Sequence, residues 1–484
     1  MSYGSSTIQI ISMFPIHPAC KAKGETMLDQ PDVLILGGGS GGYACAFRAA
    51  QLGKTVTLIE EDKVGGTCLH RGCIPTKALV HAAEVADTVS HASSIGISAT
   101  LDKIDIHGIH AYKNSVVDRL YKGLQSLVRR NKIEIVHGTG HYEGGRAVRV
   151  GDRTITGESL VLATGSKTRS LPGLEIGGRI LTSDEALTFP ELPHGVVVLG
   201  GGVIGVEFAS IWASLGAEVT IVEALPRLLA AEDEWASKQL TRALGKRGIT
   251  TMTDTRVANA IQHADMVVVT MESGEVIEAD LLLVAVGRSP RTSGIGLTEN
   301  GIGLDPRGFV SVDSTLRTAQ PGVYAVGDIV AGPQLAHRGF QQGIFVAETI
   351  AGLNSTPVED SSIPRVTYTN PEVASVGLTE EQARDKHGEI TSIVYDLAGN
   401  GKSQILGTAG GIKLVRAGAT QGPVVGIHMV GERVGELIGE AQLIVNWGAY
   451  PNEVAKLIHA HPTQAEALGE AHLALAGIPL HSHN

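Results

Sequence analysis

Two stretches of the chain repeat one pattern: a run of four apolar residues, a cluster of glycines, an Ala-rich segment with helical spacing, and a second apolar run. Val33-Leu34-Ile35-Leu36 leads into Gly37-Gly38-Gly39-Ser40-Gly41-Gly42. Val196-Val197-Val198-Leu199 leads into Gly200-Gly201-Gly202-Val203-Ile204-Gly205, an offset of 163 positions from Gly37 to Gly200. The register persists downstream, where Gly53, Val56 and Glu60 match Gly216, Val219 and Glu223. Short, uniformly apolar runs read as strands buried on both faces. With a glycine turn, a helix and a second strand they give the βαβ pattern of a parallel sheet covered by helices.

Between the copies a helical pattern runs from about Ile104 to Asn131, followed by alternating strand-like segments up to Gly165. Past Gly287 the chain turns loop-rich, with Gly294, Gly296, Gly301, Gly303 and Gly308, and ends in an apolar strand from Val323 to Val326. From about Ile363 strand candidates at Ser392 to Tyr395, Gly411 to Arg416 and Pro423 to Val430 surround helical stretches at Leu378 to Lys386 and Glu432 to Trp447. The fold class is therefore α/β: two Rossmann-like units and a separate C-terminal α+β domain. The predicted divisions are 31–174, 175–292, a segment 293–360 that completes the first unit, and 361–484. Residues 1–30 read as a disordered extension, with Met27 as an alternative start.

Composition narrows the function classes. A chain of 484 residues is too long for one core. Its 39 basic and 50 acidic residues leave a formal charge of -11, which argues against nucleic acid or an anionic membrane as a main partner. No stretch reads as a transmembrane helix. The uncharged first twenty residues are interrupted by polar residues and Pro15, and Lys21 and Lys23 follow the apolar part, where a secretory signal needs its charge first. The cytoplasm is the expected compartment. Four cysteines, Cys20, Cys45, Cys68 and Cys73, make no disulfide scaffold and suit reducing surroundings.

A lone G-x-G-x-x-G is weak, but here each copy follows a strand, opens a helix and has an acidic residue 23 positions after its first glycine. Gly37 and Gly200 permit the tight turn, Gly39 and Gly202 let the backbone approach a pyrophosphate, and Gly42 and Gly205 allow close helix–strand packing. Glu60 and Glu223 are placed to accept hydrogen bonds from ribose hydroxyls. A carboxylate at Glu223 repels a 2′-phosphate, which favours NAD over NADP, although Arg227 stands nearby. Ordinary turns would explain one such match; two in register predict two bound dinucleotides, one a tightly held flavin and one an exchangeable nicotinamide.

Cys68 and Cys73 are five positions apart, and by composition alone such a pair is more often two unrelated free thiols. On a regular helix such residues point about 140° apart, so bridging them requires distortion, for which Gly72 and Pro75 are the candidates. The stretch Gly65-Gly66-Thr67-Cys68-Leu69-His70-Arg71-Gly72-Cys73-Ile74-Pro75-Thr76-Lys77 closely resembles the redox segment of the pyridine nucleotide-disulfide oxidoreductases. Ala163-Thr164-Gly165, Val286-Gly287-Arg288, Val323-Tyr324-Ala325-Val326-Gly327-Asp328 and His459-Ala460-His461-Pro462-Thr463-x-x-Glu466 extend the resemblance over about residues 31 to 475.

The resemblance implies a redox-active Cys68–Cys73 disulfide, with Cys68 the interchange thiol and Cys73 facing the flavin. FAD would be held by Gly37, Gly39, Gly42, Glu60, Thr67, Lys77, Thr164, Gly165, Gly327, Asp328, Ala336 and His337. NAD would be held by Gly200, Gly202, Gly205, Glu223 and Gly287. Lys77 and Glu207 would pair beside the flavin, although Glu207 alone reads as an ordinary helix charge. His461 would be the acid/base and Glu466 its orienting partner, both reaching the disulfide of the other subunit of a homodimer. The two nearby histidines carry no third ligand at zinc spacing, so no metal is expected.

Within the family the pattern most resembles the branch that oxidises protein-bound dihydrolipoamide, on lipoyl domains of 2-oxoacid dehydrogenase or glycine-cleavage complexes, with reduction of NAD+. No cysteine follows Cys73, unlike mercuric reductases, and Ile204 stands where glutathione reductases typically carry Tyr. Two departures stand out. Leu335-Ala336-His337 is kept, but Arg338-Gly339-Phe340-Gln341-Gln342 departs from the acidic or small residues common there, and Arg291 replaces the usual Asn. The alternatives are a related FAD/NAD(P) reductase with another disulfide substrate, a flavin diaphorase or NADH oxidase, and a non-catalytic subunit lacking flavin.

Overall fold

The computed structural model describes residues 30–481. The expected extension at the N-terminus, the alternative start at Met27 and Cys20 lie outside the described residues, apart from Gln30.

Both repeats form five-stranded parallel sheets. The first is ordered Val323–Ala325, Ser159–Leu162, Val33–Leu36, Val56–Glu60, Glu134–His137. The second is ordered Thr250–Met252, Glu218–Val222, Gly195–Leu199, Leu281–Val284, Ile180–Leu181. The repeat offset survives in the pairing: Val33 faces Val56 and Leu36 faces Ile59 in one sheet, while Val196 faces Val219 and Leu199 faces Val222 in the other. Every residue of Val33–Leu36 is buried, as strands covered by helices on both faces require. Each central strand runs through its glycine turn into a helix, Ser40–Gln51 or Val203–Ser214, whose N-cap is glycine and whose first amides receive no side-chain cap.

The first sheet is completed only when the chain returns. It leaves through Ser166–Thr168, builds the second unit, and comes back through Arg288–Pro290, which pairs antiparallel with the outgoing segment. Val323–Ala325 then adds beside Ser159–Leu162. The alternating segments before Gly165 form an antiparallel trio, Gly140–Gly144, Ala147–Val150 and Arg153–Thr156. The predicted long helix spans Ile106–Arg130, starting where the Asp105 side chain accepts a hydrogen bond from the His107 amide.

The C-terminal unit is a five-stranded antiparallel sheet ordered Arg365–Thr367, Glu372–Gly377, Val424–Gly431, Gly411–Ala417, Ile390–Asp396. Its core joins Ile412, Leu414, Ile427 and Met429 to Val434, Ala441 and Ile444 of the helix Val434–Asn446, and to Ala467, Leu468 and Ala471 of the helix Glu466–Leu475. Ion pairs tie this unit to the second: Lys413 lies 2.8 Å from both Asp233 and Glu380, and Arg365 lies 2.8 Å from Glu232. Among the described residues no helix is long and apolar enough to cross a membrane.

Candidate active site

Gly37 and Gly200 turn with φ of +106° and +112°, and a Cβ on them would stand 2.3 Å from the Ala163 carbonyl oxygen and 2.5 Å from that of Ala285. At Gly42 and Gly205 a Cβ would fall 1.9 Å from the carbonyl oxygens of Gly37 and Gly200. The protein's own packing thus demands these four glycines. Gly39 and Gly202 differ: nothing lies within 4 Å of the missing Cβ. Bare backbone at a helix N-terminus facing open space is the cradle a pyrophosphate needs, and both sites fit a dinucleotide.

The acidic partners repeat as well. Glu60 accepts hydrogen bonds from the amides of Gly38 (2.7 Å) and Asp62 (2.9 Å), and Glu223 from those of Gly201 (2.6 Å) and Leu225 (2.7 Å). Each carboxylate is pinned beside its glycine turn with lone pairs to spare for ribose hydroxyls. Arg227 donates to the carbonyl oxygens of Glu232 (2.8 Å) and Ala230 (2.9 Å), so its guanidinium is committed to its own loop rather than to a 2′-phosphate.

The cysteines sit where a helix is broken. Gly66–Arg71 ends and Cys73–His91 begins at Gly72, whose φ and ψ of -149° and -114° belong to neither helix. Of the two expected sources of distortion, Gly72 alone acts. Pro75 lies in the first turn of the second helix, where a missing N–H costs no helical hydrogen bond. Cys68 and Cys73 are free thiols, each close enough to shift the other's titration. The Cys68 thiol, with help from the Lys77 ammonium, draws Cys73 down to about 7 against the opposing effect of burial. The Cys73 thiol and burial push Cys68 up.

The broken helix starts against the first glycine turn. The Gly65 amide donates to the Gly38 carbonyl at 2.8 Å, and a Cβ on Gly66 would stand 2.7 Å from the Gly39 Cα. Both thiols consequently open into one cleft of about 1500 Å³ that is also lined by Gly39, Thr67, Lys77, Gly165, Gly327, Asp328, Ala336 and His337. Gly200, Gly202, Glu207, Glu223 and Gly287 line its other end. Gly37, Gly42, Gly205, Glu60 and Thr164 are not part of the lining.

Lys77 Nζ lies 2.9 and 2.8 Å from the two carboxylate oxygens of Glu207, which also accepts the Tyr368 amide at 3.0 Å. Asp328 accepts the Ser166 hydroxyl at 2.5 Å, and the Arg288 Nε donates to that hydroxyl at 2.7 Å. The His337 ring sits 2.7 Å from the Pro364 carbonyl oxygen, which leaves its backbone as the part available to a ligand. Three neighbours carried no motif in the sequence: Tyr368, whose ring lies 4.7 Å below the Lys77 ammonium; Gln342, which accepts the Gly327 amide at 2.8 Å; and Tyr43, whose hydroxyl burial and the two thiols push up to about 12.

His461 and Glu466 are not in the lining of this cleft. His461 Nδ1 lies 2.8 Å from Glu466, and the Thr463 amide donates to the same carboxylate at 2.7 Å. The Thr463 amide and His461 hold that carboxyl below its usual range against the upward effect of burial. His459 has its own carboxylate, Glu440 at 2.8 Å, and is largely buried, whereas the His461 side chain is 79% exposed. Among the described residues no group of three or more His, Cys, Asp or Glu could hold a metal ion.

Known proteins match along nearly the whole chain. The family model described as pyridine nucleotide-disulphide oxidoreductase covers residues 31–343, and that of its dimerisation domain covers 363–472. Dihydrolipoyl dehydrogenase of Bacillus subtilis is 38% identical over 474 residues, covering 94% of this chain and 100% of that protein. The Thermus scotoductus enzyme of the same name is 39% identical, covering 94% and 99%. The mitochondrial dihydrolipoyl dehydrogenase 1 of Arabidopsis thaliana is 37% identical, covering 94% and 92%. Among solved structures, LpdA from Mycobacterium tuberculosis superposes with a TM-score of 0.85 at 27% identity, covering 92% and 99%. The HOCl-induced flavoprotein disulfide reductase RclA from Escherichia coli gives 0.82 at 28% identity, covering 91% and 99%.

Proposed function

The chain belongs to the pyridine nucleotide-disulphide oxidoreductase family, and from that premise we propose that it oxidises protein-bound dihydrolipoamide to lipoamide and reduces NAD+ through a Cys68–Cys73 redox pair. It is an oxidoreductase with FAD and NAD(H) as cofactors, and its C-terminal unit is a dimerisation domain. The observation that carries the reading is the placement of the two thiols. They flank a helix break packed on the first glycine turn, inside a cleft that also reaches the second.

In this reading Gly37, Gly39, Gly42 and Glu60 hold the adenosine diphosphate part of FAD. Thr67, Lys77, Thr164, Gly165, Gly327, Asp328 and the backbone of Ala336 and His337 hold the remainder. NAD is held by Gly200, Gly202, Gly205, Glu223 and Gly287. FAD, when bound, accepts the electron pair of the reduced cysteine pair and delivers it to NAD+ as hydride. Glu466 engages His461 Nδ1, which leaves Nε2 to accept a proton from a substrate thiol. The thiolate attacks Sγ of Cys68 in the oxidised pair, and the S–S bond breaks to release Cys73 as thiolate. Its depressed affinity for a proton makes it a good leaving group. The second substrate thiol then attacks the substrate sulfur of the mixed disulfide and its proton passes to the departing Cys68 sulfur, closing lipoamide and freeing Cys68 as a thiol. His461 stands exposed outside the cleft of its own chain, which supports a role at the thiols of the partner subunit in a homodimer.

Lipoyl domains of 2-oxoacid dehydrogenase or glycine-cleavage complexes are the proposed carriers, and the cytoplasm the proposed setting. A steady-state assay with dihydrolipoamide against NAD+ and NADP+ tests the reading. It predicts turnover with NAD+ that is abolished in Cys68→Ser and Cys73→Ser. Turnover retained in either variant would defeat the disulfide scheme. NADH-driven reduction of another disulfide, with no lipoamide turnover, would move the substrate assignment to a related reductase.

A further inference from the structure

Arg291 joins two strand exits of the first parallel sheet. Its guanidinium lies 2.6 Å from the carboxylate of Glu61, the residue that follows Glu60 at the exit of the strand Val56–Glu60. Its backbone is fixed on the opposite side: the Arg291 amide donates to the Gly165 carbonyl at 2.9 Å, and the Thr164 hydroxyl donates to the Arg291 carbonyl at 2.7 Å. Thr164 and Gly165 lie just beyond the exit of the strand Ser159–Leu162. These two strands flank Val33–Leu36, the strand that runs into Gly37. The ion pair therefore bridges two strand exits about 9–10 Å apart, one strand spacing on either side of the centre. The strand between those exits runs into the glycine turn at Gly37. Ligands of open α/β sheets enter the crevice outside the carboxyl ends of such strands.

We infer that Glu61 and Arg291 form a clasp that retains FAD, a positioning pair that slows escape of its adenosine end. The inference rests on FAD occupying the first glycine fingerprint. Glu60 binds and Glu61 closes, so neighbouring carboxylates divide the two tasks. Arg291 stands where the family usually has Asn, which carries no charge to offer Glu61. The side chains are 44% and 35% exposed, so the attraction is modest and salt-sensitive.

The test follows flavin fluorescence as the purified holoenzyme is diluted, giving the rate of FAD release. Arg291→Asn and Glu61→Gln should each release FAD about two- to five-fold faster, the range an exposed ion pair supports. The double variant should be no faster than either single one, because both remove the same contact. The charge exchange Glu61→Arg with Arg291→Glu should return the rate to near that of the unaltered protein. Salt at about 0.5 M should bring the unaltered protein towards the single variants. Unchanged rates in the single variants, additive effects in the double one, or an exchange variant as fast as the singles would overturn the clasp. A purified protein that carries no flavin and takes up none would overturn the assignment of FAD itself. A flavin-loaded protein with unaltered release rates removes only the clasp.

Discussion

Lys77 and Glu207 lie 130 positions apart in the chain, yet their charged groups meet at 2.8 Å. The contact joins the helix that begins at Cys73 to the helix that opens after the second glycine turn. The cysteine-bearing helix and the second unit are thus joined through one charge pair, and the cation in it also acts on the Cys73 thiol.

Lys77→Met should therefore move the titration of Cys73 upward from about 7, since the Lys77 charge lowers it. The pH dependence of thiol alkylation in the reduced protein reads this directly. The same variant leaves the buried Glu207 carboxylate without its cation, a loss of about 3–5 kcal/mol in stability that denaturant unfolding would register. An unmoved alkylation midpoint would show that Lys77 does not tune the thiol.

The proposed sharing of the active site between subunits predicts complementation. Cys73→Ser and His461→Gln should each be inactive with dihydrolipoamide as homodimers. Co-refolded at equal amounts, half of the dimers are hybrids with one intact site of two, so about a quarter of the unaltered turnover should return. No recovery would mean that His461 serves its own chain.

Glu223→Ser should lower kcat/KM for NAD+ at least about ten-fold and raise it for NADP+, because the proposal has the carboxylate pinned on the Gly201 amide bind ribose hydroxyls and repel phosphate. Initial rates with both nucleotides decide this. Arg227 should contribute little, its donors being spent on two carbonyls.

His472 is buried in the C-terminal unit, its Nδ1 held 2.6 Å from the Leu468 carbonyl while Nε2 has no partner. Burial lowers its pKa from 6.5 to about 4. The unfolded chain thus binds the proton first, so stability is fully present above pH 6.5 and is lost as pH falls towards 4. The loss is on the order of 3 kcal/mol. Thermal unfolding of the protein and of His472→Gln across that range should show a shallower acid slope in the variant; parallel slopes would exclude the histidine as the cause.

The two parallel sheets were legible because their strands are continuous apolar runs and because the same register recurs after 163 positions, from Gly37 to Gly200. Glu372–Gly377 and Arg365–Thr367 escaped notice. The second has only three residues, and the first buries Ser375, whose hydroxyl is satisfied by Glu232 of another unit, a partner no local pattern reveals. The helix Glu466–Leu475 was hidden for a related reason: its first residue was read as a partner for His461 rather than as a helix start. At the site, motif residues could be named in advance because glycine turns and paired cysteines obey local geometry. Tyr368 and Gln342 could not, since each acts through a tertiary contact with Lys77 or Gly327. Pro75 was a reasonable suspect for the helix break, but only Gly72 has backbone angles outside both helices.

The strands Ser166–Thr168 and Arg288–Pro290 lie side by side, so the second unit enters and leaves through adjacent threads. A module whose two ends adjoin can be exchanged without rethreading its host. The second unit, proposed to hold the nicotinamide coenzyme, is in that sense a cassette. Its coenzyme preference could be changed by grafting while the sulfur chemistry stayed where it was.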